Sequence, residues 1–279
     1  MDKKAIVTDS IEYMLNHLED NITIDDLAAH LFLSKYYFCR IFKEVTGESV
    51  YAFIRRFKME QSAIDLKLKK ERSLSEIGLD YGYSSTNYSS IFKEYYHSPP
   101  SIYRKLPHHQ NTANPFYPEK SGQFVTYQAF ESKIQIKEIK NSYMIFERTL
   151  GNYRDIKEKW RLFIDRNSQS MNGNNVLTER FYNDPSSTTR HNNVCDLCLV
   201  DFDYTSIHDN NRTLLEGGKF AVYPFEGYIQ DIFSEIQGLF IVWLPQSPYE
   251  MSRKYGLNMY QKIDFDNNYV KMNVCIPIK

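Results

Sequence analysis

Shifted by fifty positions, the first hundred residues fall on themselves. Ile24-Asp-Asp-Leu-Ala28 meets Leu74-Ser-Glu-Ile-Gly78, Ser34 meets Ser84, Phe38 meets Tyr88, and Phe42-Lys-Glu44 meets Phe92-Lys-Glu94. Periods of this size usually announce a solenoid, but a solenoid needs at least three copies to bury its faces. Two copies point instead to one small helical unit used twice.

Each copy reads as helix, tight turn, helix. Thr23 can cap a first helix, with Asp26 three residues on, and that helix runs to about Leu31. Ser34 caps a second through about Val45, closed by Gly47. In the second copy Ser73 or Ser75 opens the first helix, Gly82 turns, and Ser84 or Ser85 opens the next. Phe38, Ile41, Phe42 and Val45 share one helical face, as do Tyr88, Ile91, Phe92 and Tyr95. The opposite faces are polar, with donors of the kind that reach base edges and phosphates. This is the helix-turn-helix arrangement. Residues 51–67 lack Pro and Gly and read as a connecting helix that holds two readers at fixed separation. Net charge is only −1, yet residues 1–34 hold two basic and seven acidic side chains, and residues 35–72 ten basic and five acidic. Such a swing suggests one face turned to an anionic partner.

Residues 5–106 resemble the AraC/XylS family of transcription regulators. The likeness lies in Leu33-Ser34-Lys-Tyr-Tyr-Phe-Cys-Arg-Ile-Phe-Lys43, Thr46-Gly47, Arg55-Arg56-Phe57-Lys58, Ser75-Glu-Ile-Gly-Leu-Asp-Tyr-Gly-Tyr-Ser84 and Phe92-Lys-Glu-Tyr-Tyr-His-Ser-Pro-Pro-Ser-Ile-Tyr-Arg104. It implies that the outer faces at 35–43 and 84–93 are recognition helices. The candidate DNA contacts are then Lys35, Tyr36, Tyr37, Cys39, Arg40 and Lys43, with Ser84, Ser85, Thr86, Asn87, Ser89, Ser90 and Lys93. Double-stranded DNA is the implied partner, with a contact to RNA polymerase. The chain departs from the family at Phe32 and His97, where Gly is usual, at Val50, where Pro is usual, and at Ser90, where Arg is common. The second copy is also one residue short of the family between Gly82 and Phe92. The second reader is therefore expected to contribute less than the first.

Residues 107–122 are polar, with three prolines and one glycine, and read as a linker between a domain at 1–106 and another at 123–279. Strand-like runs follow at Lys133–Ile139, Tyr143–Thr149, Val194–Phe202, Lys219–Phe225 and Val270–Pro277, with helix-like runs at Arg154–Asp165 and Ile229–Phe240. The expected fold is thus an all-α tandem helix-turn-helix domain followed by an α+β domain. Gly151-Asn-Tyr153 before a helix with Trp160, and Gly227-Tyr228 before a helix followed by Trp243, suggest an internal pseudo-twofold duplication with an aromatic cleft between its halves.

This half resembles the GyrI-like effector-binding domain, through Gly151-Asn-Tyr153, Cys195-Asp-Leu-Cys198, Gly217-Gly-Lys-Phe-Ala-Val-Tyr223, Gly227-Tyr228, Trp243-Leu-Pro-Gln-Ser247 and Val274-Cys-Ile-Pro-Ile278. The resemblance implies regulation by a bound small molecule, with Tyr153, Tyr228, Trp243, Asn258 and Tyr260 around it. The family often has a buried Glu where Asn258 stands. Without that carboxylate the expectation is a neutral or weakly polar aromatic ligand, unless Glu226 or Glu147 supplies the charge.

The remaining features exclude more than they add. Cys195 and Cys198 lie three apart on a strand, hence on opposite faces, and no second pair completes a zinc site. His108 and His109 fall in the linker without matching ligands. No apolar run reaches the length of a membrane span and no signal peptide opens the chain, so a cytoplasmic protein is expected. There is no Gly-x-Ser-x-Gly elbow and no Ser/His/Asp or Cys/His set, so neither an enzyme nor a cofactor is expected. The competing readings are a C-terminal protein-interaction or stabilising module, and a small-molecule hydrolase.

Overall fold

The computed structural model describes residues 2–18, 20, 22–105, 125–171, 173–184, 188, 192–202, 213–252 and 255–279. The chain divides into two compact units, residues 1–106 and 107–279. The expected linker at 107–122, with His108 and His109, lies outside the described residues.

The first unit is helical: α1 Lys3–Asn16, α2 Ile24–His30, α3 Lys35–Thr46, α4 Val50–Leu68, α5 Leu74–Asp80, α6 Ser85–Tyr96 and α7 Pro100–Lys105. The caps follow the polar residues that precede each helix. Thr23 and Ser73 form full capping boxes with Asp26 and Glu76, while Ser34 and Ser84 accept the backbone N–H of Tyr37 and Asn87. The repeat survives into the packing. Phe38 and Phe42 meet edge to face at 5.8 Å, and Tyr88 and Phe92 meet the same way at 5.6 Å.

Two turns in each copy need a left-handed residue, and the copies divide the glycines between them. The first copy has Phe32 at φ 56° and Gly47 at 82°; the second has Gly82 at 79° and His97 at 56°. The two residues that stand where glycine was expected thus adopt a left-handed backbone, at the steric cost of a Cβ in that region.

The connector α4 is more buried than an amphipathic helix would be. Arg56 donates to Glu48 at 2.6 Å and to Glu60 at 3.3 Å. The Tyr95 hydroxyl, on α6, donates to Glu60 at 2.9 Å. Lys58 donates to the carbonyls of Asp20 and Tyr81, both at 3.1 Å. Each end of the duplicated unit is therefore tied to the same helix by buried polar bonds.

The second unit has α8 Tyr127–Glu131, α9 Ile156–Asn167 and α10 Ile232–Gly238, with strands β1 Gln135–Ile139, β2 Ser142–Gly151, β3 Asn175–Phe181, β4 Asn193–Asp201, β5 Thr213–Leu215, β6 Gly218–Tyr228, β7 Gly256–Asp264 and β8 Tyr269–Pro277. They form one antiparallel sheet in the order β1-β6-β8-β7-β3-β4-β2-β5. Outward from the central β3–β7 pair the order runs β3, β4, β2 on one side and β7, β8, β6 on the other. The sequence reading misses β3, β5 and β7, and with them the seam of the sheet.

Candidate DNA interface and ligand cavity

The outer faces of α3 and α6 stand clear of the core. Lys35, Tyr36, Tyr37, Arg40 and Lys43 are exposed and Cys39 is half-buried; Ser84, Ser85, Thr86, Asn87, Ser89, Ser90 and Lys93 are exposed. Their inward partners Phe38, Ile41, Phe42, Tyr88 and Phe92 are buried or nearly so. The first face is the more cationic. The Arg40 guanidinium lies over the Tyr37 ring at 5.4 Å. Glu44, the carboxylate one turn along, is taken by Lys3 at 2.5 Å, and the Lys3 ammonium holds its carboxyl below the usual range. Lys35 pairs with Asp25 at 2.8 Å, which raises the lysine's pKa. On the second face Ser75 and Ser85 share a hydrogen bond at 3.0 Å.

In the second unit a cavity of about 190 Å³ opens over the β3–β7 seam, between α9 and α10. Its rings and aliphatic walls come from Trp160, Phe181, Phe233, Ile236 and Phe265. Its polar floor is Glu179 on β3, which is 1% exposed, with Tyr153, Asn258 and Tyr260 around it. The Tyr153 hydroxyl donates to the Glu179 oxygens at 2.7 and 2.9 Å, and the Tyr260 hydroxyl donates at 3.0 Å. Burial pushes the Glu179 carboxyl above its ordinary range, against the pull of those two phenols and the Asn258 amide. Burial, then the Glu179 charge, pushes both phenols far up. Cys195 also lines the cavity, and its thiol shares a 2.9 Å hydrogen bond with Thr149. Burial raises that thiol's pKa, so it is a poor nucleophile.

Three of the six expected ligand residues reach the cavity: Tyr153, Asn258 and Tyr260. The other three do not line it. Tyr228 is 53% exposed and meets Tyr269 edge to face. Glu226 is exposed and bound to Lys271 and Tyr269, both at 3.1 Å, contacts that hold its carboxyl below the usual range. Trp243 is buried elsewhere, its indole N–H donating to Glu131 at 2.6 Å. Tyr153 lies in the 3-10 turn that follows β2, whereas Tyr228 is still on β6, so the two tyrosines are not placed alike. Glu147, the other proposed acid, is tied to Arg166 at 2.9 Å.

The expectation of a cavity without a carboxylate is therefore corrected. Glu179 pairs directly with Asn258 across the seam, so the acid stands one strand over from the position the sequence points to. Among the described residues no group of three or more His, Cys, Asp or Glu could hold a metal ion. Cys198 points to the opposite side of β4, into a core with Met144 and Leu257.

Comparison with known proteins agrees with both halves. A helix-turn-helix domain family matches residues 27–106, and the GyrI-like small molecule binding domain family matches residues 132–279, more than half of the chain. The Right origin-binding protein of Escherichia coli (strain K12) is 32% identical over 108 residues, covering 38% of this chain and 37% of that protein. The regulatory protein SoxS of the same strain is 30% identical over 105 residues, covering 37% of this chain and 97% of that protein. The C-terminal domain of AraT, a response regulator from Geobacillus stearothermophilus, is 27% identical with a TM-score of 0.35, covering 38% of this chain and 88% of that one. The chain thus matches little more than a third of the length of the Right origin-binding protein. It belongs to the AraC/XylS family, with a GyrI-like small molecule binding domain behind its helix-turn-helix domain.

Proposed function

We propose that the protein is a sequence-specific, DNA-binding transcription regulator whose C-terminal unit binds a small aromatic cation. The observation that carries the DNA half is the pair of polar, exposed faces on α3 and α6, each backed by the same aromatic core positions. An exposed Arg40 whose neighbouring carboxylate is already occupied is suited to a guanine edge or a phosphate. The α6 face, with hydroxyls and one lysine, is suited to backbone contacts. A contact with RNA polymerase and residence in the cytoplasm belong to this reading, as does the absence of a catalytic role.

The ligand half rests on Glu179. A carboxylate beneath aromatic walls attracts a cation by charge, and the rings add cation–π attraction. A neutral guest gains neither, only apolar contact with the rings. We further propose that the two β-α-β-β runs on either side of the seam are an internal duplication, with the cavity at their join.

The experiment is a duplex pull-down from a random pool by the full chain, with and without an aromatic cation such as a naphthylmethyl ammonium. The reading requires salt-sensitive duplex binding that changes on adding the cation. Duplex binding that ignores the cation, when the cation demonstrably binds the protein, leaves a regulator without this control.

A further inference from the structure

Glu179 and Asn258 oppose each other in register across the β3–β7 seam, at the floor of the cavity. Their neighbours satisfy most of their polar atoms but not all. An ionised carboxylate offers about four acceptor directions. The hydroxyls of Tyr153 and Tyr260 supply two donors to Glu179, and the Asn258 amide N–H turns toward it as a third. Tyr153 has a single proton to share between the two carboxylate oxygens, so by donor count one acceptor direction is left for a guest.

The Asn258 carbonyl oxygen Oδ1 is buried and accepts no hydrogen bond. Rotating the amide would not relieve it, because the oxygen would then face the carboxylate, which has no proton to give when ionised. Buried side-chain oxygens are nearly always paired, and an orphan beside a cavity calls for a donor from whatever fills it.

We propose that the cavity selects a protonated amine or amidine on an aromatic body, carrying at least two N–H bonds, one for Glu179 and one for Asn258 Oδ1. Directly opposed residues of an antiparallel pair have Cβ atoms about 4.5–5.5 Å apart, within the span of one ammonium or amidinium group. A quaternary ammonium of the same shape keeps the charge and the ring contacts but leaves both oxygens unsatisfied. This inference rests on the reading of the cavity as a cation site and adds a hydrogen-bond requirement to it.

The test is calorimetry on the full chain with three probes that share one ring system: 1-naphthylmethylammonium, its N,N,N-trimethyl analogue and 1-naphthylmethanol. The wild type should bind the primary ammonium about tenfold or more tighter than the trimethyl analogue. In Asn258→Leu that ratio should fall by about threefold or more, leaving only the share that the Glu179 hydrogen bond supplies, with thermal melting used to confirm the fold. Asn258→Val, suited to a strand, serves if the Leu variant melts early. Equal binding of the two cations by the wild type overturns the inference while leaving the cation site standing, provided both exceed the alcohol. A preference that survives unchanged in the variant also overturns it, since size alone would then explain it. If the alcohol binds as well as either cation, or if none of the three binds up to its solubility, the cation site itself is wrong and the inference falls with it.

Discussion

Replacing Glu179 with Gln keeps the side chain's size and an acceptor but removes the charge. Aromatic cations should then bind about tenfold or more weakly, as expected for a lost hydrogen bond to a charged group, while neutral aromatics change little. The pH dependence has a definite sign. Burial raises the folded-state pKa of Glu179 above its unfolded value. Its contribution to stability is therefore fully present below the ordinary carboxylate range and is lost as pH rises through the raised value. Over the same window cation affinity should climb, because the ligand favours the ionised form. Both slopes should flatten in Glu179→Gln, read by denaturation and calorimetry across pH; unchanged slopes would assign them to another group. At Arg40, truncation to Ala should cost about 1–3 kcal/mol of duplex affinity and relax preference at one base pair. Stability should move by less than about 0.5 kcal/mol, since Glu44 already has Lys3. Phe32 is 95% exposed and left-handed, so Phe32→Gly forfeits no burial. Relief of about 1–2 kcal/mol of steric strain, less the greater entropy loss of glycine, should leave the variant up to about 1 kcal/mol more stable in urea.

At the scale of elements, the helices were legible in the sequence and the strand that matters most was not. Thr23, Ser34, Ser73 and Ser84 announce helix starts because capping chemistry is local: one side chain and the N–H three residues on. Strand β3 gives no such signal. Its run Asn-Val-Leu-Thr-Glu-Arg-Phe alternates no apolar face, because its polar residues are buried on both sides of the sheet: Glu179 in the cavity, Arg180 in a cluster with Asp196. Only long-range partners explain those residues, and a single sequence does not display them. The family position at Asn258 was legible; its acidic neighbour one strand away was not. The connector α4 is a similar case, a connecting helix in the sequence that proves to hold charged pairs on its buried side. Glu60→Gln removes the charge that Arg56 and Tyr95 share. Breaking a buried pair from one side should cost about 3–5 kcal/mol, against less than about 1 kcal/mol for an exposed pair such as Arg55 with Glu94. Comparing Glu60→Gln with Glu94→Gln by urea denaturation checks it, and equal costs would mean that α4 is not the clamp described.

For the whole molecule, a net charge of −1 conceals a first helix-turn-helix with a cationic outer face and a second with a hydroxyl-rich one. On the proposed reading, the same unit repeated at fifty residues and joined by one buried helix lets one chain read two segments of a duplex. Unequal faces imply unequal reading: scrambling the base pairs under α3 should weaken binding more than scrambling those under α6. The most direct measurement is selection of duplexes from a random pool by the full chain, followed by sequencing of the bound fraction. The account predicts two enriched blocks with centres about 10–10.5 base pairs apart, the sharper one relaxed by Arg40→Ala. A single block unaffected by that substitution, or a bound pool with no sequence preference, would contradict it.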